Sequence, residues 1–434
     1  MSRSVPRVGP LLAAAAVAAL VLAAPNAASA ADADAVDDAY SLSTGTVLTA
    51  DAASGLLAND LGVDPGLGLL ISLETPPVHG TLSGITADGS FTYTPLEGWA
   101  GVDTFSYCLK LPVPLAFCAG STATVTVTTT PVIERIDGAD RYATAAAVSA
   151  AKFPAGVDTV FVASGEVFPD ALSASAAAGA EDAPVLLVQK GAIPAVVDTE
   201  LRRLAPDHVV LLGGSNTVSA AVESALGGYG AMDVTRVDGV DRYAVSAAVS
   251  ARTFAPARPV VYIASGEVFP DALAGSAAAG HLGGPVLLVQ RDAVPATVAT
   301  ELERLKPLAV VVLGGENTVT EATRAEVDRL AGLVGTRIKG ADRYATAATV
   351  SEKSFLPVVD HTVYVASGEV FPDALAGSAA AIRAHAPVLL VTRDGIPAAT
   401  ATELDRLNPT RIIVLGGSHT VSAATYDELA THLG

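Results

Sequence analysis

The sequence predicts a multidomain protein: an amino-terminal all-β sandwich followed by three tandem small α/β modules. Three observations carry this expectation. The decapeptide from Ala163 to Leu172 recurs letter for letter at Ala264 to Leu273 and at Ala366 to Leu375, and self-similarity at a fixed period marks an array of like units. Around each copy stand the same landmarks, 101 or 102 residues apart: Arg-x-x-Gly-x-Asp-Arg-Tyr-Ala from Arg135, Arg236 and Arg337, Pro-Val-Leu-Leu-Val from Pro184, Pro285 and Pro387, and Leu-Gly-Gly-x-x-Thr-Val from Leu212, Leu313 and Leu415. The segment before them differs in kind. Runs such as Ser90 to Thr94, Thr104 to Tyr107 and Ala123 to Thr128 alternate polar and apolar residues between Gly, Asp and Pro, the period-two pattern of a small antiparallel sandwich.

Met1 to Ala30 reads as an export signal, with Arg3 and Arg7 at its start, an apolar run from Leu11 to Ala24 and the small residues Ala28, Ser29 and Ala30 at its end. An apolar run of 14 residues falls short of the roughly 20 that cross a bilayer. The mature chain is therefore expected to begin near Ala31, outside the cell, and to carry no membrane span. Net charge is −19, which excludes nucleic acid as the natural partner. Half the residues are hydrophobic and only 5% aromatic, so the cores are expected to consist of Ala, Val and Leu.

The predicted sandwich covers 31–131 and is the most acidic part, with 12 acids against the single base Lys110 between Ala31 and Glu134. Cys108 and Cys118 are the only cysteines. In an exported chain they are expected to pair, adding ~2 to 3 kcal/mol by restricting the unfolded state; the other reading is two buried thiols. Asp37, Asp38, Asn59, Asp60 and Asp103 are candidate oxygen ligands for calcium, although the same residue types also make turns. No cofactor is otherwise required.

In the first repeat, Thr159 to Ala163, Pro184 to Val188 and His208 to Leu212 are continuous apolar runs, each followed by a turn and an Ala-rich stretch of helical length. That alternation indicates parallel strands covered on both faces. The strand around Arg135 is read as opening each unit, giving modules at 132–233, 234–335 and 336–434. No flexible spacer separates them, so they are expected to pack together, most simply as a pseudo-threefold ring.

Three loop constellations could carry function. Gly213 and Gly214, with Gly314, Gly315, Gly416 and Gly417, end a strand shortly before a helix and could offer N–H groups to an anion, or could simply make a tight turn. In Ser164-Gly-Glu-Val-Phe-Pro-Asp170, Gly165 would permit a positive φ, Asp170 would cap the next helix, and Phe168 and Leu172 would bury. Ser164 and Glu166 are left unexplained. A nucleophilic Ser164, Ser265 or Ser367 assisted by Glu166 or by Asp170, Asp271 and Asp373 would need a neighbouring His or Lys, and no histidine occupies a position shared by all three repeats. Arg141, Arg242 and Arg343 follow an aspartate suited to capping and carry a planar fork for phosphate or carboxylate; they could equally form ion pairs between modules. Lys339 stands where the other repeats have Asp137 and Asp238, and His419 where they have Asn216 and Asn317.

The four landmarks, in order in all three copies from Arg135 to Gly434, resemble the cell wall-binding type 2 repeat of Gram-positive surface proteins. The resemblance implies Rossmann- or Toprim-type modules in a triangle that grip an anionic secondary wall polymer without a covalent bond. Polymer contacts would then fall to the arginines, serines, aspartates and paired glycines named above, in three matching cationic pockets. Asp37 to Tyr40, Ala58 to Asp60, Pro77 to Thr81, Phe91 to Pro95 and Gly101 to Phe105 resemble the cadherin-like or Ig-like repeats of large bacterial surface proteins. Together these imply a secreted, non-enzymatic wall-attachment protein whose sandwich serves adhesion or spacing through a partner the sequence does not name. A hydrolase acting on wall polymer, or a surface-layer subunit, are the competing expectations.

Overall fold

A computed structural model describes residues 33–434 except 64–69, 111–117, 168, 269, 358–360 and 371. The export segment and Phe168 lie outside the described residues.

The amino-terminal region is the expected sandwich. Strands β1 (Asp38–Ser43), β2 (Leu48–Ala50), β3 (Leu70–Thr75), β4 (Gly80–Ser83), β5 (Phe91–Pro95), β6 (Gly101–Lys110) and β7 (Cys118–Thr130) form two sheets, β1-β7-β6-β3 and β2-β5-β4. One pairing departs from a purely antiparallel plan: β1 runs parallel to β7, with Asp38 opposite Val125, because the first strand crosses over to cover the edge of the last. Alternation puts Phe91, Tyr93, Phe105, Tyr107, Val125 and Val127 between the sheets, all at most 2% exposed. Cys108 and Cys118 are disulfide-bonded across the β6–β7 pair, Cα to Cα 5.6 Å.

The rest is α/β in three rounds. The first runs β8 (Val132–Ile136), α1 (Arg141–Lys152), β9 (Thr159–Ser164), α2 (Pro169–Ala180), β10 (Val185–Val188), α3 (Ala195–Leu204), β11 (His208–Leu212), α4 (Ala220–Leu226). The second runs β12 (Asp233–Val237), α5 (Arg242–Thr253), β13 (Val261–Ser265), α6 (Pro270–His281), β14 (Val286–Val289), α7 (Ala296–Leu305), β15 (Val310–Leu313), α8 (Glu321–Ala331). The third runs β16 (Thr336–Ile338), α9 (Arg343–Ser354), β17 (Thr362–Ser367), α10 (Pro372–Arg383), β18 (Val388–Val391), α11 (Ala398–Leu407), β19 (Arg411–Leu415), α12 (Ala423–Leu429).

Each round contributes three strands to its own four-stranded parallel sheet and takes the fourth from elsewhere. The orders are β10-β9-β11-β12, β14-β13-β15-β16 and β18-β17-β19-β8. The strand expected to open a module therefore completes the sheet of the module before it: β12 lies on β11, with Val209 opposite Val234. At the start of the array β8 has no preceding repeat, and it pairs with β19, Ile412 opposite Ile133 and Val414 opposite Arg135. Sequence repeats and folded sheets are thus offset by one strand. The physical reason is edge pairing: β8, β12 and β16 are short strands whose backbone groups need a partner, and the helix that follows each one packs onto the next sheet, α1 on β10 and α5 on β14.

Local chemistry explains the helices at the centre. α2, α6 and α10 open on proline at the first helical position, where its missing N–H and fixed φ cost nothing. They are rich in Ala, Gly and Ser and pack pairwise against one another. Ser175 donates to Leu375 O at 3.1 Å and Ser276 to Leu172 O at 2.9 Å. At the position equivalent in all three, the chain has Gly179, Gly280 and Ile382. A Cβ on either glycine would meet the Ile382 side chain, at 2.6 Å from Gly179 and 2.4 Å from Gly280. One isoleucine occupies the space that two absent side chains leave.

The sandwich is seated on the third sheet. Thr410 donates to Gly98 O at 2.7 Å, and the backbone of Gly45 and Gly98 lies against Arg411 and His361.

Ile382→Ala is expected to open a cavity at the three-helix contact and cost ~2 to 4 kcal/mol, measured as a shift of the denaturant midpoint for the repeat array; an unchanged midpoint would show that the contact is not tightly packed.

Candidate functional site

Three equivalent clefts form where one repeat meets the next. Pro-Asp-Ala-Leu and Leu-Gly-Gly loops come from one sheet, and the Gly-x-Asp-Arg turn that follows its borrowed strand comes from the neighbouring repeat. The cleft of about 300 Å³ includes Val167, Gly214, Asn216 and Thr217 with Gly239, Asp241 and Arg242. That of about 260 Å³ includes Val268, Asp271, Gly315 and Thr318 with Asp342, Arg343 and Thr346. That of about 190 Å³ joins the ends of the array, Val370, Asp373, His419 and Thr420 meeting Asp140, Arg141 and Thr144.

The Gly-x-Asp-Arg-Tyr turn is built as expected. Asp140, Asp241 and Asp342 cap α1, α5 and α9, accepting backbone N–H groups of the first turn. Nη1 of Arg141, Arg242 and Arg343 donates to the carbonyls of Gly165, Gly266 and Gly368 at 2.5, 2.6 and 2.6 Å. One N–H of each guanidinium is thereby committed inside its own repeat while the same side chain lines a cleft. The tyrosine next in sequence lies on that glycine too: a Cβ on Gly165, Gly266 or Gly368 would meet the ring of Tyr142, Tyr243 or Tyr344 at 2.5, 2.6 or 2.5 Å. Close approach therefore explains the glycine. The positive φ expected at Gly165 is not what it supplies, since its φ lies outside the left-handed region.

Several expectations for the decapeptide are corrected. Ser164, Ser265 and Ser367 are buried, at 1, 2 and 1% exposure, and their hydroxyls accept the N–H of Glu166, Glu267 and Glu369 at 3.1 Å. They hold the turn and offer no surface to a polymer. Asp271 and Asp373 do not cap; they are the second residues of α6 and α10, with carboxyls buried in the clefts. Asp170 is the second residue of α2. Burial raises the pKa of Asp373, opposed by hydrogen bonding to Thr420 and Thr144 and by the charge of Arg141 across the repeat boundary. Asp271 is raised in the same way, with Thr346 and Arg343 opposing. Each cleft thus sets carboxyl groups beside its arginine and is bipolar, where three cationic pockets were expected.

The paired glycines make turns. Gly213, Gly314 and Gly416 have φ of 87, 85 and 95°, and a Cβ on Gly314 or Gly416 would strike the Asp271 or Asp373 carboxylate at 2.3 or 2.2 Å. Arg236, Arg337 and Arg135 fix these glycines through their carbonyls. Gly214, Gly315 and Gly417 face the clefts. Helices begin only at Ala220, Glu321 and Ala423, each with its own Ser or Thr cap, so the glycine pair is not a helix-opening anion cradle. Sequence reasoning passed over Val167, Val268 and Val370, exposed by 44, 41 and 39% and lining all three clefts. Their identity within an otherwise polar loop was the available signal.

The five candidate calcium residues divide between separate sets of partners. Asp103 accepts from Tyr93 and from the N–H groups of Val78, His79 and Thr104, Asp37 accepts Thr124 N–H, and Asn59 donates to Asp37 O. Asp38 and Asp60 do approach one another around Tyr107, which donates to Asp60. Among the described residues the one cluster with metal-binding spacing is Glu74 with Cys108 and Cys118, whose sulfurs are committed to the disulfide.

Comparison with known proteins matches the repeats to the family model described as cell wall binding domain 2, over 135–223, 236–324 and 337–426, and 26–130 to a bacterial Ig domain. The amidase enhancer of Bacillus subtilis is 27% identical over 299 residues, 69% of this chain and 40% of that protein. The N-acetylmuramoyl-L-alanine amidase LytC of the same organism is 24% identical over 297 residues, 68% of this chain and 58% of that protein. The chain therefore spans less than two thirds of the length of either relative. Among solved structures, Cwp6 from Clostridium difficile superposes with a TM-score of 0.67 at 20% identity, covering 93% of this chain and 68% of that one. Cwp8 gives 0.64 at 19%, covering 92% and 68%. These two share the fold.

Asp38 yields a pH dependence. Burial pushes its carboxyl up to about 7, helped by Asp60 and Asp37 and opposed by Tyr107. A raised native pKa means that the contribution is fully present below the unfolded value near ~3.9 and is lost as pH rises to about 7. Sandwich stability, followed through Trp99, is expected to fall across that window, and Asp38→Asn to flatten the slope; an identical slope in the variant would assign it to another group.

Proposed function

We infer the function of this chain from its family: it belongs to the cell wall binding domain 2 proteins, whose model covers more than half of its length, and it acts as a surface protein that binds cell-wall polymer through its three repeats. The observation that carries the reading is the threefold recurrence of one cleft from the residues that define the repeat. Each cleft offers a guanidinium fork, a carboxyl, a threonine hydroxyl and an exposed valine, a mixture suited to a glycan that bears charge along its length. The polymer is taken to be anionic. Arginine contacts act within the screening length of about 8 Å, and three sites on one chain raise the effective concentration at each, which offsets the acidity of the protein.

The modules are read as small Rossmann- or Toprim-like units in a pseudo-threefold ring, a view supported by the mutual packing of α2, α6 and α10 and by the pairing of the first strand with the last sheet. Residues 1–30 serve export, and the protein stands at the cell wall. The Ig-like domain, cadherin-like in its motifs, is displayed for adhesion or spacing. The chain is read as non-catalytic: the serines that a hydrolase would use are buried in turns, and among the described residues no histidine is shared by the three clefts.

Replacing Arg141, Arg242 and Arg343 together by glutamine is expected to weaken co-sedimentation with isolated walls by at least about tenfold, with the wild type losing affinity as salt rises. A circular dichroism melt confirms that the variant is folded. Undiminished, salt-independent retention of a folded triple variant contradicts the assignment.

A further inference from the structure

A larger cavity lies outside the junction clefts, between the Ig-like domain and the third sheet. It measures about 540 Å³ and is bounded on one side by 44–47 and 94–98 and on the other by Lys152, Tyr364, Arg383 and Arg411. Each of those three cations departs from the repeat pattern. Where α1 ends in Lys152, the other repeats have Thr253 and Ser354; where α10 ends in Arg383, they have Ala180 and His281; where β19 starts with Arg411, they have His208 and Ala309. The scaffold does not require a cation at any of the three positions, since the other two copies fold without one. Three separate elements nevertheless bring all three to this single cavity.

The equivalent places on the other two sheets differ. On the first, Arg252 lies over the Phe161 ring at 5.4 Å and pairs with Glu181 at 2.5 Å, which fills the space. On the second, a cleft of about 510 Å³ sets Arg337, Lys339 and Lys353 beside apolar residues such as Val260, Tyr262 and Val311, but Arg337 is committed to Gly314 O and the Lys353 side chain is 57% exposed. In the roofed cavity, by contrast, Lys152 is 13%, Arg411 26% and Arg383 35% exposed. Carboxylates face these cations as well: Glu134 accepts from Lys152 and, at 3.0 Å, from Arg411, Asp182 pairs with Arg383, and Glu97 of the Ig-like domain lines the cavity.

We propose that this interdomain cavity binds a phosphate-bearing ligand, held by Arg411, Arg383 and Lys152 and roofed by the Ig-like domain. The planar guanidinium forks of Arg411 and Arg383 match phosphate geometry. The cavity has room for a polyol or sugar attached to the phosphate. Because it sits on different residues from the junction clefts, it stands or falls independently of wall binding through Arg141, Arg242 and Arg343.

Calorimetric titration of the full chain with glycerol 3-phosphate, with glycerol and glucuronate as the uncharged and carboxylate arms, tests the proposal. Binding of glycerol 3-phosphate with a Kd of about 1 mM or tighter is expected, weakened about tenfold by Arg383→Gln or Arg411→Gln and unchanged by Arg329→Gln, an exposed arginine elsewhere on the surface. Nuclear magnetic resonance shifts at Thr46 and Gly98 on adding glycerol 3-phosphate would place the ligand under the roof. The proposal is overturned if glycerol 3-phosphate does not bind the wild type, if glucuronate binds in its place, or if folded Arg383→Gln and Arg411→Gln proteins bind it as the wild type does. Any of these would leave the three cations as cement between domains.

Discussion

Everything in the repeat array depends on strand exchange between neighbours. A four-stranded parallel sheet needs its edge backbone groups paired, and here the pairing strand always arrives from outside the round that builds the sheet. Because β8 supplies that strand to the third sheet, the first and last repeats are tied together and none of the three sheets is finished by its own round. The same offset creates the clefts. Each lies where the turn after a borrowed strand meets the loops of the sheet that borrowed it, so site and scaffold arise from a single topological fact.

At the centre, small residues do the equivalent work. Helices of Ala, Gly and Ser approach closely enough for serine hydroxyls to reach carbonyls of the next repeat, and a single Ile382 fills the point where two glycines face it. Deviations among near-identical repeats therefore carry information. Ile382 serves packing, whereas Lys152, Arg383 and Arg411 gather where the sandwich is seated. Acidic overall charge and local cationic clusters coexist because pairing and burial decide the field at contact range.

The sandwich, the parallel sheets and the Asp140-type helix caps were all legible in the sequence, since period-two alternation, continuous apolar runs and cap residues are local signals. Strand exchange was not legible. Repeat boundaries read along the chain are the same whether a strand joins its own sheet or the previous one, and only the pairing of Ile412 with Ile133 distinguishes the two. Likewise, the arginines and glycines of the clefts were visible as motifs, but the burial of Ser164 and the bipolar setting of Asp373 follow from tertiary contacts. The candidate calcium residues show the same limit: Asp103 and Asp37 each satisfy backbone N–H groups of different segments, and composition does not reveal that division of labour.

Amide hydrogen exchange of the intact protein tests closure of the array most directly. If β8 completes the third sheet, the amides of β8 and β19 exchange as slowly as those of β12 and β11, which make the corresponding pairing in the first sheet. Rapid exchange across 132–136 with slow exchange across 233–237 would contradict it, because β8 would then be a linker and the cleft joining the ends of the array would not form.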